Sequence, residues 1–427
     1  MRVHLEPSQV RAGVFSGTDS SGFKKNCAGI LYPETDEQVA YIAKCASRWK
    51  IAIDPISTGF NVGYGDYLPE KSAQVLVDLR RMNKILELNR EEGWLRIQAG
   101  VTQAQVAEYL REYAPELSFD LTYWIKESSV IGNALERGRT VLAERERDLI
   151  GAKLALANGE FLRTGYTPIG KSPLVHGLNL HPLIFQSNLG IVVEGILKVR
   201  PVDVRSRYAL AGFGTFHDFA RGLEALNLQP TNSARMLRWF CLETFGESPT
   251  PTKVKQRMTS SAGGVLALEL DRSVTNAAMA KLLRASVSSI SKEKLMTAPP
   301  LEKLNDLGPM SFFSFTVRRS SRDFLTANRF IGCLRRQFPL RFFVTISFLD
   351  SSAVFLLRVH GDPARQSKTT RAHFREISRA IEKHGYVLYR NHSGIPTKHL
   401  PDARLKKMIK TCFDPKGVIS PGRYGLQ

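Results

Sequence analysis

The first half of the chain alternates between apolar patterns typical of helices and of buried strands. Apolar residues recur at helical spacing over residues 36–49, directly after Thr35, a residue suited to cap a helix. The short apolar run at 51–56 predicts a buried strand, and residues 102–112 predict a second helix capped by Thr102. Further strands are predicted at residues 75–79, 85–88, 94–98, 152–156, 160–164 and 190–199.

The second half has longer helical patterns, separated by apolar runs of strand length. This alternation predicts an α+β layer, in which helices pack on an antiparallel sheet. A short helix is also predicted near the C-terminus, at residues 405–412. The predicted helices of the second half are residues 276–291, 321–338 and 364–384. The predicted strands are residues 264–270, 311–317, 342–348 and 353–359.

Composition and charge narrow the class of protein. With 43% hydrophobic residues among 427, the chain can form a large core and is not a disordered chain. The formal charge of +20 excludes an acidic solvating protein, and a basic soluble enzyme is the preferred interpretation. Nucleic-acid binding stays a rival that rests on charge alone, so we expect no nucleic-acid partner.

The five cysteines are far apart, and no CxxC or HxxxH spacing occurs. The sequence therefore predicts no metal site and no disulfide framework, which is typical of a reducing compartment. No apolar run approaches the length of a membrane span. We expect a soluble, cytoplasmic protein without a membrane partner.

One segment, residues 165–172, fits the phosphate-binding loop formula of nucleotide hydrolases. That loop needs a preceding strand and a following helix, whose N-terminus meets the phosphates. Pro173, Gly177 and Pro182 interrupt the ten residues that should form the helix. A surface loop is therefore the preferred interpretation.

Three other segments are better candidates for an anion or cofactor site. Residues 55–65 contain three glycines directly after a predicted buried strand, where backbone N–H groups can turn toward an anion. Residues 128–133 with 136–138, and residues 186–192, contain the other two glycine patterns. Each pattern alone also suits an ordinary tight turn.

The order and spacing of these segments resemble a known family. The chain is similar to flavoproteins of the vanillyl-alcohol oxidase and p-cresol methylhydroxylase group, with further matches at residues 99–102, 156–165, 413–417 and 420–425. The resemblance implies an α+β fold: a two-part FAD-binding domain of the PCMH type with an α+β cap, an antiparallel sheet covered by helices. It implies an FAD-binding domain at residues 1–205, a substrate or cap domain at 206–385, and a C-terminal segment, 386–427, that returns to the first domain.

The resemblance also implies which residues bind FAD. The backbone of residues 57–61 would hold the diphosphate, residues 129–133 would line the same cofactor, Ile191 would lie by the adenine, and Arg423 would reach the flavin. Clustered N–H donors with little side-chain bulk suit an anionic diphosphate. The expected cofactor-binding residues are Pro55, Ser57, Thr58, Gly59, Phe60, Asn61, Val62, Gly63, Ser129, Val130, Gly132, Asn133, Gly138, Gly190, Ile191, Val192 and Arg423.

Phenol-oxidising members hold the substrate phenolate with two tyrosines and one arginine. The matching positions here are Tyr64 in the glycine loop and the pair Tyr389-Arg390 near the C-terminus. A fixed guanidinium and two phenolic donors form an oxyanion clamp. A phenolate releases electron density to its para carbon, which favours hydride loss to flavin N5.

The chain departs from the family pattern in three places. The aspartate that the family places near flavin N5 falls at Trp124, so Asp120 is the nearest catalytic carboxylate. Residues 126–128 replace a glycine run. No histidine or tyrosine matches the family's covalent flavin attachment, so we expect non-covalent FAD.

Together these features predict an FAD-dependent oxidoreductase that takes a hydride from a small aromatic substrate, a para-substituted phenol. Two alternatives stay open: oxidation of another alcohol, hydroxy acid or amine, and a flavin-fold partner subunit without redox chemistry. Oxygen and an acidic electron-acceptor protein are both open as acceptor, and the basic surface suits the second. We expect a homodimer.

Overall fold

The structure of the chain is a computed structural model. The residues that it describes are 5–71, 73–121, 125–140, 144–169, 172–174, 179–202, 206–227, 234–241, 264–291, 309–349, 352–361, 368–392, 395 and 403–426.

The chain divides into two units. Unit 1 contains Met1–Val202 and Arg390–Gln427, and unit 2 contains Asp203–Tyr389. The C-terminal segment therefore belongs to the same unit as the N-terminal half. Arg390 is the first residue of this returning segment, although it ends the strand Leu388–Arg390.

A mixed sheet forms the first part of unit 1. Its strands lie in the spatial order Val10–Thr18, Lys24–Leu31, Gln74–Asp78 and Ile53–Ile56; the last three are parallel to one another. The helix Asp36–Trp49 supplies the crossover that parallel strands need. As predicted, it begins after Thr35, whose hydroxyl accepts a hydrogen bond from the N–H of Gln38.

An antiparallel sheet forms the second part of unit 1. The helix Gln103–Tyr113 packs against it through Val106 and Leu110, and Thr102 caps that helix as predicted. The predicted hairpin around residues 156–160 joins two of its strands. In spatial order, the strands are Ile85–Asn89, Trp94–Gln98, Ile191–Lys198, Leu149–Ala155 and Phe161–Gly165.

The segment that fits the phosphate-binding formula has strands on both sides. Thr167–Ile169 pairs with Ser172–Leu174, and residues 170–171 lie outside the described residues. The required helix is not formed at residues 172–174, which supports the surface-loop interpretation. The remaining elements of unit 1 are the helices Val130–Leu135, Arg145–Asp148 and Ala403–Phe413, the 3₁₀ turns Pro7–Gln9, Leu79–Arg81, His181–Ile184 and Arg423–Gly425, and the paired strands Leu117–Ser118 and Arg200–Pro201.

Unit 2 is built on one sheet, which contains eight of the strands that the structure describes. In spatial order they are Ser286–Ile290, Ser206–Phe213, Gly264–Asp271, Ala234–Cys241, Arg341–Phe348, Ser352–His360, Met310–Arg318 and Leu388–Arg390. The helices within the described residues of this unit are Phe216–Asn227, Asn276–Leu283, Ser321–Gln337 and Lys368–Lys383. The predicted antiparallel sheet with packed helices is confirmed.

One helix prediction is wrong in its second half. The predicted helix over residues 276–291 ends at Leu283, where Arg284 adopts a left-handed conformation with φ of 51°. Ser286–Ile290 then forms an edge strand beside Ser206–Phe213. Its two β-branched residues, Val287 and Ile290, favour an extended backbone, and its three serines are poor helix formers, which the helical periodicity did not reveal.

Candidate functional site

The glycine loop after the strand Ile53–Ile56 presents a row of backbone donors. Among the described residues, the N–H groups of residues 57–62 donate no hydrogen bond to another protein group. Gly59, Gly63 and Gly65 have φ of 80°, 76° and 107°. A residue with a side chain would be strained at these backbone angles. This run of donors fits the diphosphate of FAD on geometric grounds.

The loop packs directly on the start of the helix Val130–Leu135. The N–H of Ser129 donates to Thr58 Oγ1 at 2.9 Å, and the Ser129 hydroxyl accepts from the N–H of Gly132 at 3.0 Å. A Cβ on Gly132 would lie 2.3 Å from Ser57 Oγ. Two of the predicted cofactor segments therefore meet, and a larger residue at position 132 would have to displace the Ser57 hydroxyl.

A second close approach follows at the end of the same helix. A Cβ on Gly138 would lie 2.0 Å from Asn133 Oδ1. This amide oxygen is buried and accepts no hydrogen bond from the residues that the structure describes. A buried polar atom of this kind is expected where a bound group supplies the partner, so Val130–Leu135 and the residues after it also fit a cofactor.

The remaining predicted cofactor residues lie in and around strands of unit 1. Gly190 packs closely on the strand beside it: a Cβ added to this glycine would lie 3.0 Å from the carbonyl oxygen of Ala155. Ile191 and Val192 are buried and begin the strand Ile191–Lys198. Pro55 lies inside the strand Ile53–Ile56. Val62 is half-buried and Phe60 is exposed.

The two unit 1 members of the predicted clamp are in contact. The guanidinium carbon of Arg390 lies 4.0 Å from the centre of the Tyr64 ring, a cation–π distance. Its Nη2 donates to Asn61 Oδ1 at 2.8 Å. Tyr64 is only 3% exposed. The contact joins the glycine loop to the C-terminal segment, 329 residues away along the chain.

Glu136 connects this pair to the C-terminus. Its carboxylate accepts from Arg423 Nη2 at 2.7 Å, from the Tyr424 hydroxyl at 2.5 Å and from the amide of Gln186. It lies 4.0 Å from Arg390 Nη2. Burial opposes ionisation of Glu136, but the two guanidinium groups hold its pKa below the ordinary value.

Arg423 is itself held between two carboxylates. Its Nη1 lies 3.5 Å from Asp54, which is fully buried, and its Nη2 binds Glu136. Burial raises the pKa of Asp54, against the opposing effects of Arg423 and the Ser420 hydroxyl. Tyr424 adopts φ of 56°, which is unusual for a tyrosine and directs its hydroxyl to Glu136. The two carboxylates therefore hold the guanidinium of Arg423, a predicted cofactor residue, in one position.

A small cavity opens beside this cluster. It is lined by Asn61, Tyr64, Asn391, His392, Arg423 and Tyr424. The predicted residues Tyr64 and Arg423 share this cavity with His392, whose Nε2 lies 2.9 Å from the buried Ser21 hydroxyl. Its volume of about 10 Å³ gives room for about one water molecule.

The predicted catalytic residue Asp120 interacts electrostatically with Arg145. Its neighbour Phe119 stacks on the guanidinium of Arg145, 4.0 Å from the ring centre. Burial lowers the pKa of Arg145 to about 10, and the carboxylates of Asp148 and Asp120 oppose this. Trp124 lies outside the described residues.

Tyr389, the last predicted clamp residue, is buried in the strand Leu388–Arg390 of unit 2.

Sequence reasoning did not select Glu136 or Ser21 as site residues. Glu136 stands in the segment Glu136-Arg137-Gly138, which matched the family, and a carboxylate beside a cofactor segment could have marked it. Nothing in the local sequence marks Ser21, because its partner His392 is 371 residues away.

Comparison with known proteins identifies the class. Residues 27–165 match the family described as FAD binding domain. The chain therefore contains an FAD binding domain, as the resemblance predicted. Its fold is that of p-cresol methylhydroxylase: the substrate-bound structure of that enzyme superposes with a TM-score of 0.79 at 21% identity, covering 94% of this chain and 90% of that one.

Further relatives agree with this class. The 4-ethylphenol oxidase of Gulosibacter chungangensis superposes with a TM-score of 0.77 at 19% identity, covering 94% of this chain and 89% of that one. By sequence, the chain is 34% identical over 180 residues to the 1'-carboxy-chondrochloren decarboxylase of Chondromyces crocatus, covering 40% of this chain and 33% of that one. It is 32% identical over 168 residues to the 4-cresol dehydrogenase flavoprotein subunit of Pseudomonas putida, covering 38% and 32%. The matches span about a third of these curated relatives.

Within the described part of the chain, no cluster of His, Cys, Asp or Glu has the geometry to hold a metal ion. None of the helices described is long and apolar enough to cross a membrane.

Proposed function

We propose that this protein is an FAD-dependent oxidoreductase that takes a hydride from a small aromatic substrate, a para-substituted phenol. The observation that carries the proposal is the Arg390 guanidinium, held between the Tyr64 ring and Asn61 beside a cavity. Bound FAD supplies the hydride acceptor. The names of the p-cresol, 4-cresol and 4-ethylphenol relatives support the substrate class.

The protein's own part is to bind and polarise the phenol oxygen. Arg390 is a permanent cation, and its stacking on Tyr64 and its bond to Asn61 hold it in one orientation. The Tyr64 and Tyr389 hydroxyls are proposed as the other two donors to this oxygen. A fixed cation and two donors stabilise a phenolate more than a phenol, because only the phenolate carries a full charge.

The other functional assignments are also proposals. Asp120 is proposed as a catalytic carboxylate, and its charge acts on the nearby Arg145 guanidinium. FAD is proposed to bind non-covalently, with oxygen or an acidic protein as electron acceptor and a homodimer as the assembly. A cytoplasmic location completes the proposal.

A second candidate substrate class is a 2-hydroxy acid. The chain is 29% identical over 157 residues to D-2-hydroxyglutarate dehydrogenase of Escherichia coli. A guanidinium that binds a phenolate also suits a carboxylate. Flavin reduction by a phenol and by a D-2-hydroxy acid, compared without oxygen, separates the two classes.

The test begins with the cofactor and continues with Arg390. Acid denaturation should release free FAD into the supernatant. A colourless protein that takes up no added FAD would instead support the partner-subunit alternative. A flavin retained on the precipitate would contradict non-covalent binding.

With FAD bound, a phenolic ligand should perturb the flavin spectrum, and Arg390→Ala should weaken its binding by about 2–5 kcal/mol. Arg111→Ala, at an exposed arginine of the same unit, is the matched control. A loss below about tenfold for Arg390→Ala would show that the residue does not hold the ligand.

A further inference from the structure

Two segments of unit 1 expose large apolar side chains to solvent. Trp49 is the last residue of the first helix, and Ile51 follows it two positions later. Leu405 and Met408 lie in the helix Ala403–Phe413. The exposed fraction of these four side chains ranges from 46% for Ile51 to 66% for Trp49. A single exposed apolar residue is ordinary, but several together indicate an interaction surface.

The backbone brings the two segments to one region of the unit. The N–H of Ile53 donates to the carbonyl of Val418 at 2.9 Å, within a parallel bridge between the two segments. Because the two chains are parallel there, Ile51 and Lys416, each two residues earlier, lie at the same end. The helix Ala403–Phe413 ends just before Lys416. The four apolar side chains therefore belong to neighbouring parts of one surface.

A buried ion pair fixes which side of the helix Ala403–Phe413 faces solvent. Lys410 is fully buried, binds Asp414 at 2.7 Å and donates to the carbonyl of Ile419 at 2.9 Å. With 3.6 residues per turn, Leu405 and Met408 lie on the opposite side of the helix from Lys410. A rotation that buried them would break the buried pair, which is strongly unfavourable. The apolar side of this helix therefore stays exposed.

The charges around these residues have one sign. Residues 44–52 and 404–417 are all described, and the acidic residue that they contain is Asp414, which Lys410 neutralises in the interior. The exposed cations of the two segments are Lys44, Arg48, Lys50, Arg404, Lys407 and Lys416. We use the name basic-apolar surface for these cations together with Trp49, Ile51, Leu405 and Met408.

The partner that matches this chemistry is an anionic lipid surface. Cations attract anionic headgroups, and apolar side chains enter the layer just beneath them; tryptophan and leucine are typical of such contacts. A second copy of the chain matches poorly, because a two-fold interface would bring like charges together. A protein partner would need a surface shaped to receive four separate side chains that extend into solvent, whereas lipid adapts to each of them.

We propose that the basic-apolar surface binds unit 1 to the anionic headgroups of a membrane surface. The contact is peripheral: the four apolar side chains enter the headgroup layer, and the cations bind the phosphate and carboxylate groups of the lipids. The expectation of no membrane partner rests on the lack of an apolar run of spanning length. A peripheral contact needs no such run. The proposal is independent of the substrate class.

Co-sedimentation of the full, FAD-loaded chain with vesicles tests the proposal. Phosphatidylcholine vesicles that contain about 30% phosphatidylserine should bind the protein, and vesicles of phosphatidylcholine alone should not. Raising the salt concentration from about 0.1 M to about 1 M should weaken the binding, because salt screens the charges. Tryptophan fluorescence should shift to the blue on binding, and Trp49→Phe should reduce this shift.

Two pairs of substitutions separate the apolar contribution from the charged one. Leu405→Ser with Met408→Ser leaves the net charge unchanged, and should weaken vesicle binding by about tenfold because less apolar area is buried. Lys407→Gln with Lys416→Gln should weaken it by about twentyfold, since each cation near an anionic surface contributes about fivefold. All four side chains are exposed, so the variants should fold and take up FAD as the wild type does.

Matched controls come from exposed residues of the same unit. Val14→Ser is the control for the apolar pair, and Lys84→Gln with Arg111→Gln is the control for the two lysines. Both controls should bind the vesicles within about twofold of the wild type. Equal losses in the controls would overturn the proposal, because the overall charge of +20 would then explain the binding.

Three other results would also overturn the proposal. The first is a wild type that binds no anionic vesicles. The second is wild-type affinity in Leu405→Ser with Met408→Ser, which would indicate a purely charged contact such as an acidic protein makes. The third is a wild-type dimer that this double variant converts to a monomer in light scattering, which would identify a second copy as the occupant.

Discussion

The two units of the molecule have interiors of different chemistry. In unit 1, charged groups are buried: Glu136 and Asp54 hold Arg423, and Lys410 binds Asp414 at 2.7 Å. In unit 2, phenylalanine rings are in mutual contact, with Phe324 lying 5.1 Å from Phe355.

This contrast separates stability from function. A buried charge costs free energy unless it is compensated, so a cluster of them indicates a site that needs charge. Rings packed edge to face stabilise a core and present no polar group. Substitutions in the polar interior of unit 1 should therefore affect ligand binding and the pH dependence of stability. Substitutions in the aromatic interior of unit 2 should affect the free energy of unfolding alone.

The largest effect is expected in the aromatic core. Phe324 is fully buried and its ring contacts Phe219, Phe348 and Phe355. Phe324→Ala should lower the free energy of unfolding by about 3–5 kcal/mol, through lost burial and the cavity left behind. Urea denaturation measures this. Val387→Ala, at an exposed apolar residue of the same unit, should cost little, and equal losses would contradict the assigned core.

The next effect is expected at Glu136. Glu136→Gln removes the anion beside Arg423 and Arg390, and should cost about 3 kcal/mol of unfolding free energy at pH 7. Because the folded-state pKa of Glu136 is lowered, this contribution is complete above the ordinary glutamate pKa of about 4.3 and shrinks as the pH falls below it. Denaturation at pH 7 and at pH 3.5 tests the sign.

A matched variant for that test is Glu146→Gln. Glu146 lies 3.3 Å from Arg137, but the side chain is 25% exposed. Its loss should cost at most about 1 kcal/mol, since solvent screens a surface pair. A cost at Glu136 no larger than this would show that the buried cluster is not charge-coupled.

A smaller effect is expected in the cofactor segments. An alanine Cβ at position 132 would meet Ser57 Oγ at 2.3 Å, so Gly132→Ala must displace the Ser57 hydroxyl from its place in the glycine loop. The binding free energy of FAD should weaken by about 1–3 kcal/mol in this variant. Gly332→Ala, within the helix Ser321–Gln337, is the control. The new Cβ would meet only Arg336, at 3.7 Å, so this substitution should raise the free energy of unfolding by about 0.5–1 kcal/mol. Unchanged FAD affinity in Gly132→Ala would remove this glycine from the cofactor site.

The smallest effect concerns Asp19. Burial raises the folded-state pKa of this carboxyl to about 6, so the folded protein binds more protons than the unfolded chain between about pH 4 and 6. The contribution to stability is present at lower pH and is lost as the pH rises through 6. Asp19→Asn keeps an acceptor for the two N–H groups, and should gain about 1 kcal/mol over the wild type between about pH 5.3 and 7.5. Glu91→Gln, at an exposed carboxylate, controls for a lost surface charge; a gain that is independent of pH would contradict the assignment.

Local sequence predicted the elements that depend on local physics. The helix Asp36–Trp49 was found because its apolar period and its cap, Thr35, lie within one short segment. The glycine loop was found because Gly59, Gly63 and Gly65 mark a backbone that needs positive φ. The helix predicted through residue 291 was wrong because tertiary pairing decided the state of Ser286–Ile290.

The sequence by itself determined the fold class, and it selected the candidate FAD-binding segments and two unit 1 members of the proposed clamp, Tyr64 and Arg390. These follow from residue types at short spacing and from a family pattern. Only the tertiary structure decided that Glu136 neutralises Arg423, that Arg390 stacks on Tyr64, and that Ser21 holds His392 beside the same cavity. Each contact joins residues hundreds of positions apart, where periodicity carries no information. Charge compensation depends on distance in space, and the fold alone sets that distance.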